Sequence, residues 1–205
     1  MPEKPLHQRL SLAGPAGAIE AELTGPGTGP VAVLCHPHPL YGGSMHDAVL
    51  DTLARVLADR GIATLRFNFR GVGRSAGTHD GGDGEVDDLR AVLGWLAANH
   101  PHRLRLLGGY SFGAGVVSRL LSDSAAGDIE RALLVAPPVG RLAVAEPDGR
   151  IPVDVFAGDA DDFVDTTVLA GWRHARIHLI PGADHFFSGA WSTLEDEIRA
   201  ALDTA

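Results

Sequence analysis

Ser111 is the residue whose surroundings best suit it to covalent chemistry. It stands in Gly109-Tyr110-Ser111-Phe112-Gly113, a G-x-S-x-G segment. The apolar run from Leu104 to Leu107 reads as a short buried strand, and Ala114-Gly115-Val116-Val117 opens a helix. A serine in so sharp a strand-to-helix turn sits on strained backbone with its hydroxyl lifted clear of the sheet. The two glycines lack the Cβ atoms that would collide in that turn. The helix that follows points its positive end at the serine. A hydroxyl alone is a weak nucleophile: it needs a base, and the base needs an orienting carboxylate.

For the carboxylate, the strand Val153 to Ala157 runs into Gly158-Asp159-Ala160-Asp161-Asp162-Phe163-Val164-Asp165, where four aspartates compete. For the base there are ten histidines. Only His185, in Pro181-Gly-Ala-Asp-His-Phe-Phe187, stands just after the last strand and before the last helix. Its neighbour Asp184 cannot easily turn back to that imidazole and reads as structural. His7, His79, His100, His102, His174 and His178 read as surface or loop histidines.

Negative charge developing on a carbonyl oxygen needs two N–H donors. One is the backbone N–H of Phe112. The other should come from His36-Pro37-His38-Pro39-Leu40, the loop after the strand Val31–Cys35. Proline has no N–H, so His38 and Leu40 are the candidates. A metal reading of His36, His38 and His46 is disfavoured by the adjacent prolines and the lack of a nearby carboxylate cluster. Asp80-Gly-Gly-Asp-Gly-Glu85 does not have EF-hand spacing. Arg70-Gly-Val-Gly-Arg74-Ser75 matches neither a P-loop nor a dinucleotide fingerprint. No metal and no cofactor is expected.

The elements that must position these residues are legible from periodicity. Leu10–Gly14 and Ala18–Leu23 alternate weakly around a Gly/Pro turn, as an antiparallel lead-in does. Val31–Cys35 is continuously apolar, the mark of a strand covered on both faces. Ser44 and Asp47 have capping-box spacing before a helix with Val49, Leu50, Leu53, Val56 and Leu57 inward, which Gly61 stops. The strand Ala63–Phe69 alternates and carries Arg66, which needs a partner if buried. The acidic stretch Asp80, Asp83, Glu85, Asp87 and Asp88 is the expected source. A second helix spans Glu85–Asn99. The strand and helix around Ser111 follow, then strands at Arg131–Ala136, Pro152–Gly158 and Ala175–Pro181. Short and long helices are expected at Thr166–Trp172 and from Trp191 to Leu202. Strand–helix alternation of this kind predicts an α/β fold, a mostly parallel, doubly wound sheet with helices on both faces. Ligands of such sheets bind at the carboxyl ends of the strands, where nearly every unusual residue of this chain lies.

The totals agree with one domain over residues 1–205. The formal charge of −9 argues against nucleic acid and anionic membrane surfaces. No apolar run is long enough to span a bilayer. The first nine residues have no apolar core of signal-peptide length, and the single cysteine, Cys35, excludes an intrachain disulfide, so the expected location is the cytoplasm. Cys35 ends an apolar run and reads as a buried, inert thiol.

The G-x-S-x-G turn resembles the nucleophile elbow of α/β-hydrolases. The resemblance extends through His36-Pro-His-Pro-Leu-Tyr-Gly-Gly-Ser-Met45, Arg66-Phe-Asn-Phe-Arg-Gly-Val-Gly-Arg-Ser75, Gly84-Glu85 and Asp184-His-Phe-Phe187. Together these are similar to small bacterial hydrolases related to dienelactone hydrolase-like and serine esterase-like proteins. The family order, serine then acid then histidine, implies Ser111, Asp161 and His185. Asp161 is selected by the family pattern Gly-x-x-Asp-x-x-Val, and His185 by its match to the family histidine. Likeness to the common His-Gly-x-Pro loop favours His38 over Leu40. The Arg70–Ser75 turn packs, in the family, beneath the active-site loops. Dienelactone hydrolases use cysteine where this chain has Ser111, which favours an esterase. Many relatives insert a helical lid after the strand equivalent to Arg131–Ala136. Here only Pro137 to Ile151 fills that gap, so no lid domain and an open, shallow site are expected.

The implied activity is cleavage of small carboxylic esters, with a small-molecule substrate and a monomer or homodimer equally open. Thioester or amide hydrolysis and acyl transfer could use the same residues. A binding protein that kept the fold is the rival of another class.

Overall fold

The computed structural model describes residues 6–101, 104–122 and 129–204, so His102 lies outside the described residues. Eight strands form one sheet: β1 (Leu6–Gly14), β2 (Gly17–Gly25), β3 (Val31–Cys35), β4 (Ala63–Phe67), β5 (Leu104–Tyr110), β6 (Arg131–Val135), β7 (Val153–Gly158) and β8 (Arg176–Ile180). Their order is β1-β2-β4-β3-β5-β6-β7-β8. β1 pairs with β2, and β2 with β4, antiparallel; all other pairs are parallel. The interior strands read as continuous apolar runs because helices cover both faces: all of β3 and β7 is buried. Helices α1 (Ala48–Ala58) and α5 (Trp191–Asp203) pack together on one face. Helices α2 (Asp83–Asn99) and α3 (Phe112–Ser122) pack together on the other. A four-residue helix, α4 (Thr166–Leu169), precedes β8 and stops short of the expected Trp172.

Three local expectations are corrected. Asp47 is itself the N-cap of α1, accepting from the Val49 N–H at 2.8 Å, and the Ser44 hydroxyl accepts from the His46 N–H instead. The box is therefore not formed. One half of such a box is present at α2, where Glu85 Oε2 accepts from the Gly82 N–H at 2.8 Å; Gly82, the N-cap, has no side chain to return the bond.

Arg66 does not meet the acidic stretch. The β2–β4 register sets it opposite Glu22, 3.7 Å away, and its guanidinium also pairs with Asp51 of α1. The acidic stretch serves Arg70. Asp88 takes the Arg70 Nε at 3.1 Å, Nη2 at 2.9 Å and backbone N–H at 2.9 Å, and Asp80 takes Nη1 at 3.1 Å. The chain turns outward after Phe69, so the guanidinium that reaches α2 is the one beyond the strand. The rest of that turn is stitched to β2. Arg74 pairs with Glu20 at 2.9 Å, and the Ser75 hydroxyl donates to the Asn68 carbonyl at 2.6 Å.

Of the histidines read as surface or loop residues, His178 is on a strand, and His79 is in a loop as expected but is held inward. His178 lies on β8, stacked on Phe156 and 3.0 Å from the buried Asp154. His79 is held 2.8 Å from the fully buried Glu85, against the rings of His38 and Phe112. In both cases the holding carboxylate is remote in sequence or set on a helix, so periodicity could not announce it. Among the described residues no helix is long and apolar enough to cross a membrane.

Candidate active site

β5 runs through the middle of the sheet and ends in Tyr110, and α3 starts at Phe112. Ser111 between them has φ +53°, a left-handed conformation that costs an L-residue about 1–2 kcal/mol. The surroundings enforce it. The Ser111 N–H donates to the Val135 carbonyl of β6 at 2.8 Å, and its own carbonyl accepts from the Gly115 N–H at 3.2 Å. A Cβ on Gly113 would lie 2.3 Å from the Cys35 carbonyl oxygen, and one on Gly109 2.5 Å from the Gly113 carbonyl oxygen. Only glycines let the start of α3 approach the ends of β3 and β5 so closely.

His185 Nε2 lies 2.9 Å from Ser111 Oγ, and His185 Nδ1 lies 2.8 Å from Asp161 Oδ2. The imidazole and the carboxylate are both buried. The other Asp161 oxygen accepts from the Phe163 N–H at 2.7 Å, so each oxygen has its own donor. A carboxylate at Nδ1 fixes the tautomer with Nε2 unprotonated and facing the hydroxyl. The His185 loop is anchored by Tyr110, whose hydroxyl donates to the His185 carbonyl at 2.9 Å. Burial raises the Tyr110 phenol above its ordinary range, which keeps it a neutral donor.

The other three aspartates have different work. Asp159 Oδ1 accepts from the Gly182 N–H at 2.6 Å. Asp162 is exposed, and its backbone carbonyl accepts from Arg141. Asp165 caps α4. Asp184 is structural in its geometry, accepting from the N–H groups of Ser188 at 2.8 Å and Phe186 at 3.0 Å. Those donors hold its carboxyl below the usual range.

The loop after β3 is shaped by two imidazoles. His36 is buried, accepts from the Phe69 N–H at Nε2 (3.0 Å), and has Nδ1 2.6 Å from the Pro37 carbonyl. Both nitrogens are engaged, so neither is open to a metal ion. His38 Nδ1 accepts from the Leu40 N–H at 3.2 Å, at the start of a 3-10 turn over Pro39–Tyr41. Of the two candidate donors, Leu40 is thus committed within its own loop. No hydrogen bond among the described residues uses the His38 N–H. Phe112, as the first residue of α3, has no intrahelical carbonyl to donate to. The His38 and Phe112 rings lie 5.0 Å apart, which places the two loops side by side.

Burial holds the His36 pKa down at about 4, against an ordinary value of 6.5. The neutral ring is therefore the one that folds. Its contribution is complete above pH 6.5 and is lost as pH falls from 6.5 toward 4, because the unfolded chain's imidazole takes up a proton that the buried ring does not. The loss of unfolding free energy between those pH values should exceed that of His36→Gln by about 3 kcal/mol. Urea titrations of both proteins at each pH would measure it, and parallel pH slopes would remove His36 from the account.

Cys35 is fully buried, and burial raises its thiol far above the ordinary range, as an inert thiol requires. Only residues 136–152 separate β6 from β7, so nothing of lid size lies over Ser111.

A family model described as serine aminopeptidase, S33, matches residues 30–157. A serine hydrolase without a lid from Xanthomonas campestris is 35% identical, with 99% of this chain and 97% of that chain superposed at a TM-score of 0.86. An α/β serine hydrolase homologue from Coxiella burnetii is 33% identical over 95% of this chain and 97% of its own, at a TM-score of 0.85. An uncharacterized protein of Rickettsia prowazekii is 38% identical in an alignment of 192 positions that covers 85% of this chain and 79% of that protein. With a sheet, elbow and open strand ends of this kind, and relatives that match it end to end, the chain belongs to the α/β-hydrolase superfamily, among its serine hydrolases without a lid.

Proposed function

We propose that the chain is a carboxylesterase that cleaves small esters through a Ser111–His185–Asp161 triad and an acyl-enzyme. The observation that carries this reading is the unbroken line of hydrogen bonds from Ser111 Oγ through both imidazole nitrogens to Asp161. Ser111 Oγ attacks the ester carbonyl while its proton passes to His185 Nε2. Asp161 holds the imidazole and offsets the charge it acquires. The N–H groups of Phe112 and His38 stabilise the oxyanion. His185 returns the proton to the departing alcohol, which leaves an ester on Ser111. Water then gives a proton to Nε2 and its oxygen to the acyl carbon, and the acid departs as Ser111 is reprotonated. The open site suits short or protruding acyl groups and no interfacial activation. The reaction calls on no metal or cofactor.

Intact mass after fluorophosphonate treatment tests the first step. One adduct on the wild type and none on Ser111→Ala is expected. A folded wild type without an adduct would overturn the reading and turn attention to partner binding. Oxygen esters, thioesters and amides of one acyl group then fix the bond cleaved, with the oxygen ester expected to turn over fastest.

A further inference from the structure

The rim of the site is not uniform. Two phenyl rings stand on the His185 side. The Phe163 centroid is 4.7 Å from that of His185, and the Phe186 ring meets the imidazole edge-on at 5.5 Å. Neither is needed to cover the core: Phe163 is 49% and Phe186 58% exposed. The imidazole is already held from within by Asp161 and by Tyr110, whose ring lies 5.5 Å away. Large exposed apolar groups gathered at one place mark a contact surface.

Proton transfer says what meets that surface. His185 Nε2 takes the Ser111 proton and must hand it to the departing oxygen, so that oxygen comes within hydrogen-bond reach of Nε2. Whatever is attached to it then lies along the rim beside the imidazole, where Phe163 and Phe186 stand. Leu40 and Tyr41, also exposed, belong to the loop of His38, and Tyr41 packs on His38. Charge narrows the class further. Asp159 and Asp162 are exposed on the loop of Phe163, and Asp184 precedes His185. Arg141, held at the Asp162 carbonyl, offsets one of these three charges, and the remaining excess of carboxylates disfavours an anionic leaving group.

Building on the esterase reading, we propose that Phe163 and Phe186 form the leaving-group subsite, and that the preferred substrates are uncharged esters of aromatic alcohols. The rings supply stacked and edge contacts to an aryl or benzyl group while its oxygen takes the proton from Nε2.

Benzyl acetate and methyl phenylacetate test this, being isomers that carry the ring on the alcohol and the acyl side. Wild type should favour benzyl acetate in kcat/KM. In Phe163→Ala/Phe186→Ala that preference should fall about tenfold, the worth of one or two aromatic contacts. Phe163→Leu and Phe186→Leu keep apolar bulk and should each lose part of it, which covers the case of a double variant that folds poorly. An unchanged ratio would mean that the rings only pack His185. A loss confined to methyl phenylacetate would make this an acyl site, and a labelled wild type that cleaves neither ester also overturns the proposal. A wild type that takes no fluorophosphonate adduct would sink the serine-hydrolase reading beneath it, which keeps the two failures apart.

Discussion

Replacing Ser111 by alanine is expected to lower ester turnover by about 10⁶, leaving only the residual rate that binding and N–H donors provide. The effect should be that large because the residues act as a unit. Without Oγ, His185 has no nucleophile to activate and no acyl-enzyme forms. Alanine keeps the Cβ and no more, so the left-handed backbone, the Val135 bond and the packing of α3 persist. Circular dichroism and the unfolding midpoint should therefore stay close to those of the wild type. Initial rates on an activated acetate ester, compared with buffer alone, check the figure. Retention of more than a few per cent of the rate would place the nucleophile elsewhere.

Asp161→Asn should reduce turnover by about 10⁴, through the tautomer rather than the fold. Asp161 Oδ1 accepts from the Phe163 N–H and Oδ2 faces His185 Nδ1. In the variant the amide oxygen keeps the Phe163 bond, so the amide NH₂ takes the place of Oδ2. It then donates to Nδ1 and drives the imidazole proton to Nε2, where it can no longer accept from Ser111. Asp159→Asn and Asp162→Asn should leave turnover within a few-fold, because neither carboxylate meets His185 and both are exposed. A profile in which Asp159 or Asp162 carries the large loss would reassign the acid. Measuring kcat for the three variants on one substrate decides it.

Much of the architecture could be read before any coordinates, for reasons that are local. The continuous apolar run Val31–Cys35 is buried throughout because a parallel strand is covered on both faces. The helix after Ser111 begins where the G-x-S-x-G turn ends, since glycines at both flanks admit a backbone that other residues resist. The short interval after β6 excluded a lid by chain length alone. Where local rules competed, they misled. Ser44 and Asp47 have capping-box spacing, yet Asp47 lies directly before Ala48 and caps the helix unaided. The partner of Arg66 is set by β2 crossing beside β4, a pairing between segments about forty residues apart that periodicity does not encode.

The sequence by itself determined the elements, the elbow at Ser111 and the family, because each is written in residues that neighbour one another along the chain. Only the tertiary structure decided that Asp161 Oδ2 comes within 2.8 Å of His185 Nδ1, that Tyr110 ties down the His185 loop, and that two phenyl rings flank His185. Each of these depends on which loops are brought together at the carboxyl ends of the strands. That meeting is fixed by sheet order and by close backbone approaches, such as Gly158 against Ala183, where a Cβ would lie 2.0 Å from a carbonyl oxygen. Strand order follows from contacts between remote segments, and no local pattern carries them.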